Sequence, residues 1–94
     1  MTFKQKLENI IQKNNSLLCV GLDPDLAKFP KHISSRKNPI FEFNKEIINA
    51  TAKFVCCYKL NIAYYASQGM KGLNSLLETI DYIHKEYADI PVNL

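Results

Sequence analysis

Short continuous apolar runs alternate with amphipathic stripes along this chain of 94 residues, and this alternation constrains the fold more than any other feature. Residues 17–22, 55–60 and 90–94 form the apolar runs, and the first of them ends sharply at Asp23-Pro24-Asp25. Such runs, bounded by turn residues, are typical of strands that are buried on both faces of a parallel sheet. Helical stripes precede and separate these runs, so the order is helix, strand, helix, strand, helix, strand. We therefore predict an α/β fold with parallel strands, built from right-handed βαβ units.

Apolar residues at helical spacing define the three predicted helices. Thr2 can cap the first helix, and Asn14-Asn15-Ser16 is expected to end it. The apolar stripe of the second helix consists of Ile40, Phe43, Ile47, Ala50 and Phe54. The stripe of the third consists of Leu73, Leu76, Leu77, Ile80, Ile83 and Tyr87. Residues 24–39 are expected to form a long loop with one helical turn, and residues 61–72 an irregular connection.

The composition excludes several classes of protein. Apolar residues make up 47% of the chain and charged residues 22%, with a net charge of +3, which is unlike a disordered segment. No apolar run approaches the roughly 20 residues of a membrane span. The first residues carry lysines without the apolar stretch of a secretory signal. We therefore expect a cytoplasmic globular domain with no membrane partner.

The three cysteines, Cys19, Cys56 and Cys57, do not form a disulfide framework. Their number is odd, two are adjacent, and their spacing is not that of a zinc site. We expect them to be buried, reduced thiols within strands.

Two segments could attract an anion, and each has a plainer alternative. Residues 26–41 contain no acidic residue and several basic ones, which is typical of a solvated loop but could also create a local positive field. The charge pattern is too weak to indicate nucleic-acid binding. Gly69-Met70-Lys71-Gly72 could offer backbone N–H groups at a helix start, but it lacks phosphate-loop spacing, and a flexible entry to the helix is the better explanation.

Polar residues follow the first two predicted strands at the positions where α/β proteins carry their chemistry. Asp23 follows the first strand, and Lys59 and Asn61 lie at the end of the second. A lysine in an apolar strand needs a carboxylate or a ligand as partner, unless it extends to water at the strand end. Asp before proline is a common turn starter, and for Asp23 taken alone this is the better explanation. Neighbouring parallel strands would place Asp23 and Lys59 on one face, which favours a shared site.

These same segments resemble a known family. Residues 18–25 (LCVGLDPD), 58–65 (YKLNIAYY) and 69–73 (GMKGL) are similar to orotidine 5′-phosphate decarboxylase, in the subgroup with GLDPD and a KxNxAF-type motif. The resemblance covers nearly the whole chain, with the motifs in the right order and spacing.

The resemblance implies a (β/α)₈ barrel that acts as a homodimer without a metal or an organic cofactor. Its reaction would convert orotidylate to UMP and CO₂ in pyrimidine nucleotide synthesis. By motif match, Asp23 would bind the ribose hydroxyls and Asn61 would support the end of the second strand. Lys59 would be the first member of a Lys-Asp-Lys-Asp array, contacting the ribose and orienting an aspartate.

The third predicted strand limits what residues 1–94 can do. In the family this strand runs into a D-x-K-R-G-D-type segment with the proton-donating lysine, whereas here Asn93-Leu94 follows Ile90-Pro91-Val92. A barrel needs roughly 250 residues, so we expect residues 1–94 to be an N-terminal partial barrel domain with about three of its eight strands. We expect this polypeptide to be inactive alone, and a complementary C-terminal fragment is one candidate partner. The alternative is a non-catalytic remnant that acts as a small βα binding or assembly module.

Overall fold

The computed structural model describes residues 1–94, apart from the side chain of Leu26, and it has the predicted order of helices and strands. The first helix, α1 (Phe3–Asn14), begins at a capping box, in which the Thr2 hydroxyl accepts from the Gln5 N–H at 3.1 Å. The Gln5 side chain accepts in return from the Thr2 N–H at 2.9 Å. Asn15 ends the helix in the left-handed region at φ 48°. The predicted cap and stop of α1 are therefore confirmed.

Three parallel strands form one sheet in the order β1-β2-β3. They are β1 (Cys19–Gly21), β2 (Cys57–Lys59) and β3 (Val92–Asn93). In the register of the sheet, Gly21 lies beside Lys59, and Lys59 lies beside Asn93. The parallel α/β prediction is confirmed.

The helices that follow β1 and β2 connect the strands. After β1 come a 3₁₀ turn (Leu26–Lys28), the short helix α2 (Lys31–Ser34), α3 (Pro39–Thr51) and a second 3₁₀ turn (Ala52–Phe54). After β2 come α4 (Ile62–Ala66) and α5 (Gly69–Glu86). Residues 24–39 thus contain two helical turns, where one was predicted.

The core lies between the sheet and the helices α3, α4 and α5. Its fully buried apolar side chains are Ile48, Val55, Tyr58, Leu60, Tyr65 and Ile83. They come from β2 and its flanking residues and from each of the three helices, so the central strand is the element about which the domain packs.

The prediction that the first strand is buried on both faces is wrong for these residues. Leu17 is 81% exposed, and Leu18, Cys19 and Gly21 are exposed as well. β1 is an edge strand, and Cys19 and Gly21, which share one face by strand alternation, are both exposed. For the same reason the prediction for the cysteines is only partly right. Cys56 and Cys57 are buried, but Cys19 is exposed, and Cys56 precedes β2.

Two predicted helix faces also need correction. In α3 the buried positions are Ile40, Asn44 and Ile48, a row with a spacing of four, and Ala50 lies off that row. Phe54 is 63% exposed because α3 has already ended and the chain has entered a 3₁₀ turn. In α5, Leu76 and Ile83 of the predicted stripe are buried, but Leu77 is 64% exposed, because the other buried positions are Gly72, Ser75 and Thr79 on the opposite side of Leu76.

Residues 61–72 are helical, not irregular as predicted. Asn61 caps α4, a turn follows in which Gly69 has φ 76°, and α5 begins at that glycine. Gly72 is buried, and a Cβ there would lie 2.1 Å from the carbonyl oxygen of Tyr65. The glycine therefore allows α5 to pack directly against α4.

None of the helices in the described part of the chain combines the length and the apolar character that a membrane span requires.

Candidate functional site

The candidate site lies at the carboxyl ends of the strands β1 and β2. The backbone N–H of Leu22 donates to the carbonyl oxygen of Lys59 at 2.9 Å, and the N–H of Leu60 donates to Asn93 at 2.9 Å. These bonds continue the sheet by one step beyond the strands themselves. The structure thus brings the ends of the two strands, with Asp23 and Lys59, to one edge, as the sequence predicts.

Asp23 is exposed and does not form the turn after β1. The turn is formed by Asp25, whose carboxylate accepts from the N–H of Ala27 at 3.0 Å. Among the described residues, no side-chain hydrogen bond is made to the Asp23 carboxylate. Pro24, the next residue, is buried. The alternative of Asp23 as a turn starter is thus unsupported, and its carboxylate faces solvent.

Lys59 ends β2 with its side chain exposed. The ion pairs among the described side chains join Lys13 to Asp89 and Arg36 to Glu42 and Glu46, so Lys59 belongs to none of them. The ammonium group reaches water, as the plainer alternative holds, and it remains accessible to a ligand. Register places Lys59 on the same face of the sheet as Gly21, and both residues are exposed.

Asn61 has a local structural role. Its side-chain oxygen accepts from the N–H groups of Ala63 at 3.0 Å and Tyr64 at 3.4 Å, which caps α4. Asn61 therefore sets the direction in which the chain leaves the end of β2, just after Lys59.

Two tyrosines contribute a feature that sequence reasoning missed. Tyr65 is fully buried and its hydroxyl donates to the carbonyl oxygen of Leu22, while the Tyr64 hydroxyl donates to that of Pro24. Burial raises the pKa of Tyr65 to about 12. Burial and the nearby carboxylates of Asp25 and Asp23 also raise the pKa of Tyr64. A buried tyrosine signals that its hydroxyl has a partner, but not which partner.

A cavity of about 370 Å³ lies beside the end of β1. It is bounded by the segment from Gly21 to Asp25 on one side and by Phe43 and Asn44 of α3 on the other. Asn44 is fully buried, and its side-chain oxygen has no hydrogen-bond partner among the described residues. Polar and apolar groups therefore both border the space behind Asp23.

The two candidate anion segments have ordinary structural roles. In residues 26–41, Arg36 pairs with Glu42 at 3.3 Å and with Glu46 at 3.4 Å, while Lys31 and Lys37 are exposed. Gly69 starts α5, and Gly72 serves the contact with α4. The described residues include no group of three or more His, Cys, Asp or Glu side chains arranged to hold a metal ion.

Curated relatives are similar to the chain over nearly all of its length. An orotidine 5′-phosphate decarboxylase of Flavobacterium johnsoniae is 52% identical over 90 residues, which are 96% of this chain and 33% of the relative. One of Dechloromonas aromatica is 50% identical over 94 residues, 100% of this chain and 34% of the relative. A scan against models of protein families gave no match.

Solved structures show the same fold. A protein of Toxoplasma gondii assigned as an orotidine-monophosphate decarboxylase matches with a TM-score of 0.79 and 35% identity, over 94% of this chain and 28% of that one. The orotidine 5′-monophosphate decarboxylase of Plasmodium berghei matches with a TM-score of 0.75 at 24% identity, over 97% of this chain and 42% of that one, and this match bears on fold alone.

The chain spans about a third of the length of the curated relatives it matches. The three parallel strands and their helices fit the N-terminal part of the barrel predicted from the sequence. In both sequence and fold, the chain is therefore similar to a part of orotidine 5′-phosphate decarboxylases.

Proposed function

We propose that this chain supplies the first part of an active site that converts orotidylate to UMP and CO₂. The observation that carries the proposal is sequence identity of about half over nearly the whole chain with relatives named for this reaction. The position of Asp23 and Lys59 at the ends of two neighbouring parallel strands supports it. We propose that the active unit is a homodimer, as the family resemblance suggests, and that it acts in the cytoplasm.

The chemistry of the two side chains suits a nucleotide ligand. The Asp23 carboxylate can accept hydrogen bonds from ribose hydroxyls. The Lys59 ammonium can donate hydrogen bonds to the ribose and to a neighbouring carboxylate. Loss of CO₂ leaves a carbanion on the pyrimidine ring, and fixed positive charge stabilises negative charge that develops there. Asn61 supports the position of Lys59 by directing the chain that follows it.

We also propose that a polypeptide limited to residues 1–94 does not turn over orotidylate by itself. These residues contain no D-x-K-R-G-D segment, to which the family resemblance assigns the proton donor. Without that donor the carbanion has no positioned source of a proton.

The test is an assay of UMP formation from orotidylate by residues 1–94, alone and with a complementary fragment. The fragment is taken from the Flavobacterium relative and covers the part that this chain does not match. We expect UMP only when both polypeptides are present. Substitution Lys59→Ala in the mixture should lower the rate about 100-fold, as does removal of one preorganised charge or hydrogen-bond donor in other enzymes. The matched control is Lys71→Ala, which removes an exposed lysine from the first turn of α5.

Each outcome decides between the two functions considered. UMP from residues 1–94 alone would contradict the proposed inactivity. UMP from the mixture, lost with Lys59→Ala and kept with Lys71→Ala, supports the decarboxylase. No UMP under either condition would favour a non-catalytic assembly module, which the exposed Leu17 and Phe54 also support.

A further inference from the structure

The two residues on either side of Asp23 are held by neighbouring tyrosines. The hydroxyl of Tyr65 donates to the carbonyl oxygen of Leu22, and that of Tyr64 donates to the carbonyl oxygen of Pro24. Both bonds span about forty positions of sequence and join α4 to the loop after β1. The backbone of Asp23 is therefore fixed at both ends while its carboxylate remains exposed.

A buried hydrogen-bond chain determines the direction of the Tyr65 bond. Asn44 donates from its side-chain nitrogen to the Tyr65 hydroxyl at 3.0 Å and to the Thr79 hydroxyl at 3.1 Å. Because the Tyr65 oxygen accepts from Asn44, its own proton is left for Leu22. The Thr79 hydroxyl in turn donates to the carbonyl oxygen of Ser75 at 2.7 Å. The chain thus connects α5, α3 and α4 to the end of β1.

The helix α4, which carries Tyr64 and Tyr65, is also linked to the position of Lys59. Asn61, two positions after Lys59, caps α4 by accepting from the N–H of Tyr64 and of Ala63. Movement of α4 would therefore shift the end of β2 and the loop of Asp23 together. Sheet pairing provides a second link, through the bond from Leu22 to Lys59.

We propose that Tyr64 and Tyr65 are positioning residues that hold the backbone of Asp23 so that its carboxylate meets the ribose of the nucleotide. The ligand class rests on the proposed function, whereas the restraint on the backbone does not. Tyrosine hydroxyls suit this role because they reach a carbonyl oxygen from a ring that is itself fixed by packing. Each ring contacts the other edge-on, with centroids 5.7 Å apart.

The first measurement is amide hydrogen exchange on the full chain without ligand. Tyr64→Phe and Tyr65→Phe each remove one hydroxyl and leave the ring. We expect the amides of Leu22, Asp23 and Asp25 to exchange about tenfold faster, beyond any general increase. Tyr58→Phe is the matched control, since it removes a buried hydroxyl bonded to Thr51 and Ile48 and leaves the loop of Asp23 unchanged.

The second measurement is steady-state kinetics of the complemented enzyme with orotidylate. We expect Tyr64→Phe to raise KM about tenfold with kcat changed less than twofold, because ribose binding is loosened and the proton transfer is not. In a background of Asp23→Asn the same change should have little effect, because the tyrosine acts through Asp23. A general loss of stability would lower activity equally in both backgrounds.

Unchanged exchange at residues 22–25 in both tyrosine variants overturns the proposal, as does faster exchange with an unaltered KM. An equal effect of Tyr64→Phe with and without Asp23→Asn overturns it as well. If the complemented enzyme makes no UMP, the proposed function fails, and exchange alone then decides whether the tyrosines restrain Asp23.

Discussion

Leu22 donates its backbone N–H to the carbonyl oxygen of Lys59 at 2.9 Å, so the residue before Asp23 is bonded to the lysine of the same candidate site. The bond continues the β1–β2 register beyond the last pair, Gly21 and Lys59. Asp23 lies two positions after Gly21, and Asn61 lies two positions after Lys59, so they occupy equivalent positions after the two strands. The spacing between Asp23 and Lys59 is thus set by hydrogen bonds between backbone groups, and substitution of either side chain leaves those bonds in place.

Substitution Gly72→Ala should destabilise the chain by about 1–3 kcal/mol, the usual range for overpacking a buried site. The new Cβ would lie 2.1 Å from the carbonyl oxygen of Tyr65 and 2.5 Å from the Cβ of Gln68, so α4 and α5 would have to separate. Urea unfolding followed by circular dichroism measures the change. Asn74→Ala, an exposed change in the same helix, is the control and should alter the free energy of unfolding by less than about 0.5 kcal/mol. Equal effects of the two substitutions would contradict the packing role of Gly72.

The three thiols should differ strongly in reactivity. Cys19 is exposed, whereas Cys56 and Cys57 are buried. Burial is the main cause, and the neighbouring Cys19 the second, that raises the pKa of Cys57 to about 12. The same two causes raise the pKa of Cys56. Because the thiolate is the reactive form, iodoacetamide at pH 7.5 should label residues 1–94 once per native chain and three times in denaturant, as read by intact mass. Cys19→Ser should abolish the native label, and rapid native labelling of Cys57 would contradict the prediction.

An ion pair between α1 and the turn before β3 should make stability depend on pH. Lys13 and Asp89 lie 2.5 Å apart, and the hydrogen bond and charge of Lys13 lower the pKa of Asp89 below 3.8. A lowered pKa in the folded state means that the pair stabilises the fold above the unfolded value, and that this contribution is lost as the pH falls through the folded value. Asp89→Asn should therefore lower the urea midpoint at pH 7 and have no effect near pH 2.

Salt provides the control for this pair. Both side chains are mostly exposed, so about 1 M NaCl should remove most of the difference between Asp89→Asn and the unsubstituted chain at pH 7. Asp81→Asn, at an exposed carboxylate on α5 outside the observed ion pairs, should show neither the pH nor the salt dependence.

Residues 1–94 alone should expose an apolar surface near the starts of β1 and β2. Leu17, Leu18 and Phe54 are exposed there, and a bond of 2.5 Å from the Ser16 hydroxyl to the carbonyl oxygen of Phe54 joins the two segments. We expect the purified polypeptide to bind a dye for apolar surfaces or to form oligomers. Leu17→Lys should weaken either behaviour more than Met70→Lys, a change at an exposed apolar residue of α5. A clean monomer with a sharp two-state melt and no dye binding would contradict this expectation.

Patterns within one segment predicted the larger part of the fold. The apolar runs located the three strands, Thr2 marked the start of α1, and the alternation of strands and helices indicated parallel pairing. The ends of the strands then identified Asp23 and Lys59 as neighbours. These properties depend on local sequence and on general rules of βαβ connection, which a single chain displays.

Features that depend on contacts between distant segments were not predicted. The helical character of residues 61–72 is an exception, because it depends on local contacts, the side-chain cap at Asn61 and the close approach of Gly72 to Tyr65, which the prediction of an irregular connection overlooked. The exposure of Cys19 depends on whether another layer covers that face of β1. The partners of the Tyr64 and Tyr65 hydroxyls lie some forty positions away, and no spacing rule connects them.

The sequential order β1-β2-β3 has a consequence for folding. Each strand pairs with the one made just before it, so no strand has to wait for a distant part of the chain before it finds its neighbour. Pairing between segments that follow one another along the chain closes shorter loops, which costs less conformational entropy than pairing between distant segments. The pairing that places Asp23 beside the end of β2 therefore involves no residue beyond Lys59.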